Sequence, residues 1–205
     1  MTGPPQDIYK IVIIGDSCVG KTSLAIRICR NVFNAHYKAT YGFDLFSVEM
    51  DVGDRKVAFN IVDTAGQERH LSVAPNFYRG SDAVLLCFDV TNDKTFDRID
   101  WWKNNFITLA NPQSPENFPF FLVGTKIDLE NRTVDMDKCK QWCELNNDAP
   151  FFATSSKSDI GVKELFRSVA EHISKNRPHE SNRSHLKIPD IFKSEPDIRP
   201  KSGCC

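Results

Sequence analysis

Apolar positions along this chain form either short continuous runs or longer helix-periodic segments. Continuous runs predict strands buried on both faces, and they lie at residues 11–14, 83–89, 118–124 and, more briefly, 151–154. Residues 45–52 and 56–63 alternate between apolar and polar positions around Gly53-Asp54-Arg55, which predicts a β-hairpin. Helices are expected at residues 22–28, 94–110, 135–146 and 161–175.

The order of these elements indicates the fold class. Strands and helices alternate, which favours parallel strands joined by helical crossovers and hence an α/β fold. Ligands of such sheets bind beyond the carboxyl ends of the strands, so the segments that follow the strands should meet at one rim. From residue 176 onward, prolines interrupt a polar sequence. We therefore expect a short extension at 1–8, one domain at 9–175 and a flexible tail at 176–205.

Composition narrows the range of functions. A chain of 205 residues can bury one full core, and its net charge of -1 offers no basic excess for binding nucleic acid. The sequence does not open on a basic segment followed by an apolar stretch, and no window supplies the roughly 20 apolar residues of a membrane-spanning helix. The seven cysteines lack a zinc-like spacing. We expect a protein that is made and kept in the cytosol without disulfide bonds.

A phosphate-binding signature follows the first predicted strand. The segment Gly15-Asp16-Ser17-Cys18-Val19-Gly20-Lys21-Thr22 fits the pattern G-x-x-x-x-G-K-[ST], whose backbone N–H groups face one concavity. Lys21 can reach the outer phosphates, the Thr22 hydroxyl can ligate Mg²⁺, and the following helix adds the positive end of its dipole. Because the pattern lies between a predicted strand and a predicted helix, we prefer a phosphate loop to an ordinary glycine turn.

Three further segments suit a nucleotide, and each follows a predicted strand. In Asp63-Thr64-Ala65-Gly66-Gln67 the carboxylate can hold the water shell of a metal, the glycine N–H can meet a terminal phosphate, and the glutamine can orient a water. In Thr125-Lys126-Ile127-Asp128 the last carboxylate can accept from the ring and exocyclic nitrogens of guanine. Backbone N–H groups of Ser155-Ser156-Lys157 suit the guanine carbonyl oxygen. The ligand is therefore expected to be a guanine nucleotide.

The order and spacing of these motifs resemble the Ras superfamily of small GTPases, and within it the Rab family. The resemblance spans residues 9–175 and is greatest to the late-endosomal and lysosomal Rab subfamily. It rests also on Tyr37-Lys38-Ala39-Thr40, Phe77-Tyr78-Arg79-Gly80 and Lys126-Ile127-Asp128-Leu129-Glu130-Asn131-Arg132. It implies a three-layer P-loop NTPase fold whose six-stranded sheet is mostly parallel, with one antiparallel edge strand and about five helices.

The resemblance also implies an activity and residue roles. GTP would be hydrolysed to GDP and phosphate with Mg²⁺ as cofactor and Gln67 as the catalytic residue. Phe33 and the stem of Lys126 would enclose the guanine, while Tyr37 would close over the phosphates. The metal ligands would be Thr22, Thr40 and Asp63. The full nucleotide-binding set would be Gly15, Asp16, Ser17, Cys18, Val19, Gly20, Lys21, Thr22, Ser23, Phe33, Tyr37, Thr40, Gly66, Thr125, Lys126, Asp128, Ser155, Ser156 and Lys157.

A switch of this kind would work at membranes. The paired Cys204-Cys205 resembles the doubly geranylgeranylated ends of Rabs, and two lipid chains give stable anchoring. The site of action would be the cytoplasmic side of late endosomes, lysosomes or phagosomes, in exchange with the cytosol, and the protein would be a monomer. The effector surface would include Leu45, Val62 and Phe77. The protein partners would be an exchange factor, a GTPase-activating protein, a prenylation escort, a GDP-dissociation inhibitor and effectors.

Some positions depart from the family's pattern. Cys18 stands where the subfamily has Gly, and Thr125 replaces Asn in the guanine motif. Val62 and Leu45 replace the usual Trp and Phe, which leaves the identity of effectors open. A thiol beside a helix N-terminus can be reactive, and His70 in place of Phe could make switch binding depend on pH. A packing cysteine and a solvated surface histidine are the alternatives.

Two other functions compete with a GTP-hydrolysing switch. The first is a prenylated, GTP-bound scaffold that binds partners with little turnover, against which Gln67, Thr40 and Gly66 argue. The second is a P-loop kinase that uses ATP, which Asp128 in its guanine context opposes. Phosphate release and the preference between GTP and ATP distinguish the three.

Overall fold

One six-stranded sheet organises the computed structural model, which describes residues 7–35, 40–66 and 74–176. The strands lie in the spatial order β2-β3-β1-β4-β5-β6. Their bounds are Asp7–Gly15 (β1), Phe43–Val52 (β2), Arg55–Thr64 (β3), Ala83–Asp89 (β4), Phe120–Thr125 (β5) and Phe151–Ala153 (β6). Every strand expected from the apolar pattern is present, with bounds shifted by a few residues.

Strand directions follow the predicted connections. The pairs β1·β3, β1·β4, β4·β5 and β5·β6 are parallel, as the alternation of strands and helices predicts. The strands β2 and β3 pair antiparallel as the predicted hairpin, and Gly53 in its turn has a φ of 60°. Since β2 lies at one edge, the sheet is mostly parallel with one antiparallel edge strand.

Within the described residues, six α-helices cover the sheet. Their bounds are Lys21–Arg30 (α1), Ala74–Tyr78 (α2), Asp93–Asp97 (α3), Ile99–Ala110 (α4), Met136–Leu145 (α5) and Val162–Asn176 (α6). The single helix expected at 94–110 is two helices, since Arg98 between them has φ and ψ of -93° and -1°. The five-residue α2 and a 3₁₀ turn at Pro115–Asn117 were not predicted.

Two hydrophobic clusters, one on each face of the sheet, pack the helices against it and give three layers. On one face of the sheet, Ile11 and Ile13 of β1 belong to a cluster that includes Phe166 of α6. On the other face, Val12 and Ile14 belong to a cluster that includes Trp102 of α4. Because successive residues of a buried strand face opposite sides, the continuous apolar run of β1 serves both clusters. The α/β, three-layer architecture expected from the sequence is confirmed.

Within the described ranges, the longest and most apolar helices still fall short of what crossing a bilayer requires. The motifs singled out by sequence lie at or just beyond the carboxyl ends of β1, β3, β5 and β6, which share one edge of the parallel strands. This edge is the location of the candidate site.

Candidate nucleotide-binding site

The loop between β1 and α1 has the backbone that a phosphate cradle needs. Gly15 and Gly20 have φ of 142° and 99°, a region that residues with a Cβ rarely adopt. A Cβ at Gly15 would lie 2.2 Å from the Cys87 carbonyl oxygen, so β4 allows only glycine there. Gly20 then caps α1, which begins at Lys21 and directs its first N–H groups, including that of Ser23, into the loop.

Lys21 is a cation held inside this cradle. Its side chain is 5% exposed, and its ammonium donates to the carbonyl oxygens of Gly15 at 2.8 Å and Asp16 at 2.7 Å. Burial lowers the pKa of Lys21 from its ordinary value, while the charge of Asp63 opposes that shift. An anion that entered the loop would favour the charged ammonium in the same way.

The three residues expected to hold a metal meet beside the loop. Thr22 donates to Asp63 Oδ2 over 2.6 Å, and the Thr40 hydroxyl lies 2.9 Å from Thr22 Oγ1 and 3.5 Å from Asp63 Oδ2. Asp63 is fully buried, and its Oδ1 has no hydrogen-bond partner in the described part of the chain. Burial raises the pKa of Asp63 to about 6, although the hydrogen bond from Thr22 and the charge of Lys21 both act to lower it. A buried carboxylate oxygen beside two hydroxyls is a donor set that suits Mg²⁺.

The end of β3 is pressed against the phosphate loop. Ser17 Oγ donates to the Gly66 carbonyl oxygen over 2.9 Å. A Cβ on Gly66 would lie 2.2 Å from the Ser17 nitrogen and 2.3 Å from the Asp16 carbonyl carbon. Only glycine permits this approach, which brings its backbone to the rim of a recess lined by Cys18, Gly20, Lys21, Thr22, Ser23, Thr40, Thr64 and Gly66.

The two motifs predicted to read the base meet at the ends of β5 and β6. Ser155 Oγ donates to Asp128 Oδ1 over 2.7 Å, and Lys157 Nζ lies 3.9 Å from Asp128 Oδ2. Lys126, which has a φ of 63°, extends to a 2.6 Å ion pair with Asp89 at the end of β4. Burial acts to raise the pKa of Asp89, but hydrogen bonds from Lys126 and Thr91 hold it below its ordinary value. These contacts fix the stem of Lys126 and the carboxylate of Asp128.

Thr125 joins the guanine motif to the phosphate loop. Its buried Oγ1 lies 2.5 Å from the carbonyl oxygen of Val19 and 2.8 Å from that of Phe88, so its one proton is shared between two acceptors. The Val19 side chain itself is buried in the core. A threonine in place of the family's asparagine thus still ties β5 to the loop.

Of the other predicted site residues, Phe33 lies in the described part of the chain and several others lie outside it. Phe33 follows α1 and is 39% exposed, which leaves its ring accessible to a base. Tyr37, Gln67, His70, Cys204 and Cys205 lie outside the described residues, and their roles stay predictions.

The expected effector surface needs one correction. Leu45 is 36% exposed, and Phe77 is half-buried with its ring against Phe43. Val62 pairs with Leu45 across β2 and β3, but its own side chain is 2% exposed and packs in the core with Trp102. The prediction that Val62 forms part of a surface open to partners is therefore wrong: its side chain lies on the same face of the sheet as Leu45, but the cluster that contains Trp102 covers it.

Three contributors were missed by the sequence reasoning. Trp102 Nε1 donates to Asp16 Oδ1 over 2.7 Å, and Arg98 Nε lies 3.1 Å from the same oxygen. Arg27 of α1 reaches the loop that follows β6. No sequence motif marks these side chains.

The comparisons with known proteins agree with this geometry. The model of the Ras family matches residues 10–175. The chain is 42% identical to the GTP-binding protein yptV5 of Volvox carteri over 209 residues, with all of both chains covered. It is also 42% identical to the Ras-related protein Rab-7a of Dictyostelium discoideum, over 200 residues and 97% of each chain. The match to Ras-related protein Rab7 of Drosophila melanogaster is 42% over 172 residues, 84% of this chain and 83% of that one.

An α/β domain with a phosphate loop, a buried acidic metal set and a guanine motif is the architecture of a small G domain. The chain therefore belongs to the Ras family, as a Rab-type small GTPase.

Proposed function

We propose that this protein is a switch that binds GTP and GDP with Mg²⁺, hydrolyses GTP and regulates vesicular traffic at late endosomes, lysosomes or phagosomes. One observation carries the proposal: Thr22, Thr40 and Asp63 converge beside the phosphate loop around a buried carboxylate oxygen that has no partner among the described residues. A buried charge of this kind is costly unless a cation pairs with it. The donor set is therefore built for a ligand.

Mg²⁺ fits these residues because the donors are hard oxygens, two hydroxyls and a carboxylate. Thr22 and Thr40 would supply the hydroxyls, and Asp63 would act on the metal directly or through its waters. When bound, the ion would neutralise charge on the phosphate oxygens. Thr40 belongs to a different segment from Thr22 and Asp63, so its engagement can report which nucleotide is bound.

The chain's own groups would perform most of the hydrolysis. Lys21 and the N–H groups of the loop would hold the phosphates, and Gly66 would bring its N–H to the terminal one. Gln67 would orient the attacking water, a role that stays a prediction. Because phosphoryl transfer needs mainly positioning and charge stabilisation, an arginine from an activating protein could add a factor of about 10³–10⁵.

Selectivity for guanine would come from Asp128. A carboxylate accepts from the ring and exocyclic nitrogens of guanine, and Ser155 and Lys157 hold it in place. Phe33 and the stem of Lys126 would enclose the ring. The backbone of Ser156 would offer its N–H to the guanine carbonyl.

The relatives named Rab7 in Dictyostelium discoideum and Drosophila melanogaster support the proposed compartment. The protein would reach that membrane through geranylgeranyl groups on Cys204 and Cys205. Its partners would be an exchange factor, an activating protein, a prenylation escort, a GDP-dissociation inhibitor and effectors that read the surface of Leu45 and Phe77.

A binding competition and a single-turnover assay test the proposal. We expect fluorescent GDP to be displaced by GTP and not by ATP, and preloaded GTP to release phosphate slowly when Mg²⁺ is present. Chelation of Mg²⁺ should accelerate loss of the nucleotide. Displacement by ATP alone would contradict the base specificity.

A scaffold with little turnover is the second candidate, and it predicts GTP binding without phosphate release. Gln67→Leu provides the matched control in the assay, because it removes the residue proposed to orient the water. Equal phosphate release from both proteins would contradict the role of Gln67. No release from either protein, with or without an activating protein, would favour the scaffold.

A further inference from the structure

Arg27 is the most heavily engaged side chain near the base-reading loop. It lies in the last turn of α1 and is partly buried. Its Nε donates to the Ser156 carbonyl oxygen over 2.6 Å, and one terminal nitrogen donates to the Lys157 carbonyl oxygen over 3.2 Å. The other terminal nitrogen donates to the carbonyl oxygen of Asn31 over 2.9 Å and contacts its Oδ1 at 3.3 Å. One planar guanidinium thus binds three backbone carbonyls in two stretches of the chain.

The contact with Lys157 continues to the base-reading carboxylate. In a trans peptide unit the C=O and the next N–H point in opposite directions, so a donor on the oxygen fixes the N–H on the far side. The Lys157 carbonyl accepts from Arg27, and the Ser158 N–H of that same peptide unit donates to Ser155 Oγ over 3.0 Å. Ser155 Oγ in turn donates to Asp128 Oδ1. An unbroken series of hydrogen bonds therefore runs from Arg27 to Asp128.

The contact with Ser156 has a second effect. When Arg27 holds the Ser156 carbonyl, the Lys157 N–H of that peptide unit must face the other way. The loop can then present its N–H groups on the side away from α1. Lysine could not replace this arrangement fully, because one ammonium lacks the fixed fork of donors that spans two carbonyls.

Arg27 also ties this loop to the chain that leaves α1. Asn31 caps α1 with a φ of 53°, donates its N–H to the Arg27 carbonyl and accepts from the Arg27 side chain. Phe33, the residue proposed to pack on the base, follows two positions later. Arg27 therefore sets the position of both the loop that reads the base edge and the segment that covers its face.

We propose that Arg27 is a positioning residue for guanine recognition, which holds the loop after β6 and the start of the segment after α1 in one arrangement. Among the described residues, its side-chain hydrogen bonds go to Asn31, Ser156 and Lys157, and none goes to the phosphate loop or to the metal set. Its loss should speed the release of nucleotide and weaken the discrimination between bases. This inference rests on the proposed guanine-nucleotide site.

The test compares Arg27→Met with Arg30→Met. Both arginines lie in the last turn of α1, so both substitutions remove the same favourable charge at a helix C-terminus. Arg30 is exposed, with its guanidinium 5.9 Å from the centre of the Phe46 ring on β2. The measurements are the release rate of fluorescent GDP and the affinities for GDP and IDP, since inosine lacks the exocyclic amine that Asp128 would accept from.

Arg27→Met should release GDP about tenfold faster, in line with the loss of hydrogen bonds from a charged donor. The ratio of GDP to IDP affinity should fall several-fold, a change that general destabilisation would not produce. The release rate and affinity ratio of Arg27→Lys should lie between those of the original protein and Arg27→Met. Arg30→Met should match the original protein in both measurements.

Three outcomes would overturn the inference. These are an unchanged release rate in Arg27→Met, an equal change in Arg30→Met, or a lower melting temperature with an unchanged ratio of GDP to IDP affinity. If the unsubstituted protein binds no guanine nucleotide, the proposed function itself fails. If the unsubstituted protein binds GDP and the Arg27 variants release GDP and discriminate bases as it does, this inference fails and the proposed function stands.

Discussion

Cys18 occupies an unusual backbone conformation for a residue with a side chain. Its φ is 63°, in the left-handed region, and its side chain is exposed. A Cβ there costs about 1–2 kcal/mol, whereas glycine adopts the region freely. The subfamily's glycine at this position thus has a local physical reason, and the thiol is accommodated at some cost in stability.

Substitution of Cys18 should reveal that cost. Cys18→Gly removes the strain, but the more flexible unfolded chain offsets about 0.4–1 kcal/mol, so the free energy of unfolding should stay equal or rise by up to about 1 kcal/mol. Cys18→Val should lower it by about 1 kcal/mol or more, because β-branched side chains tolerate this region least. Urea unfolding measures both variants. Equal stability of the valine and glycine variants would contradict the argument.

Thr125 offers a second test at one residue. Thr125→Val keeps the shape of the side chain but removes the donor to the Val19 and Phe88 carbonyls, so the free energy of unfolding should fall by about 1–3 kcal/mol. Release of GDP should also accelerate, because the phosphate loop loses its tie to β5. Thr125→Ser retains the hydroxyl and serves as the control in urea unfolding and GDP-release assays. A serine variant as weak as the valine variant would assign the effect to the lost methyl group instead.

The sequence was most informative where chemistry requires one residue type at a fixed spacing. Lys21, Thr22 and Asp63 could be assigned because few side chains hold phosphate and Mg²⁺, and the structure brings them together. Arg27 and Arg98 could not, because each acts through backbone or carboxylate partners far away in the chain. Nothing in the local pattern distinguishes them from solvated surface arginines.

At the scale of elements, burial made the strands predictable. A strand covered on both faces is apolar almost throughout, so the strand Ala83–Asp89 could be predicted from its continuous run of apolar residues. The break at Arg98 was not predicted, because apolar spacing continues across it. Tertiary contacts account for the break. Thr95 ties α3 to the end of β4 by accepting a hydrogen bond from the Asp89 N–H. The separate helix α4 then places Trp102 where its Nε1 donates to Asp16.

The packing of α6 on β5 predicts a dependence of stability on pH. The His172 ring lies edge-on to Phe121, with centroids 5.5 Å apart. Burial, and next the charge of Lys175, lower the pKa of His172 below its ordinary value. The unfolded chain therefore binds this proton more readily, so the contribution to stability is complete above about pH 6.5 and declines as the pH falls below it.

His172→Gln should remove that decline. Between pH 7.5 and pH 5.5 the free energy of unfolding should fall less in this variant than in the original protein, whatever the difference at pH 7.5. Lys175→Gln should give a smaller reduction in the slope, because it removes only the second cause. Urea unfolding at a series of pH values gives the slopes, and identical slopes in all three proteins would contradict the assignment.

At the scale of the whole molecule, the residues of the candidate site lie together at one edge of the sheet. The segments after β1, β3, β5 and β6 are far apart in the chain, yet they meet because parallel strands share their carboxyl ends. This convergence could be predicted from the alternation of strands and helices. The outer surface could not be predicted: Val62 was expected at the effector surface because its position in a motif does not show how far neighbouring side chains cover it.

The remaining prediction joins this domain to a membrane through Cys204 and Cys205. One lipid chain gives marginal, reversible binding, whereas two give stable anchoring. In cell fractionation, the original tagged protein should therefore pellet with membranes, each single serine variant should divide between pellet and supernatant, and Cys204→Ser/Cys205→Ser should be found in the supernatant. Cys143→Ser removes a thiol of α5 and is the control, while GDP affinity checks that each variant is folded. Membrane residence of the double variant would overturn the lipid anchor and leave the nucleotide switch untouched.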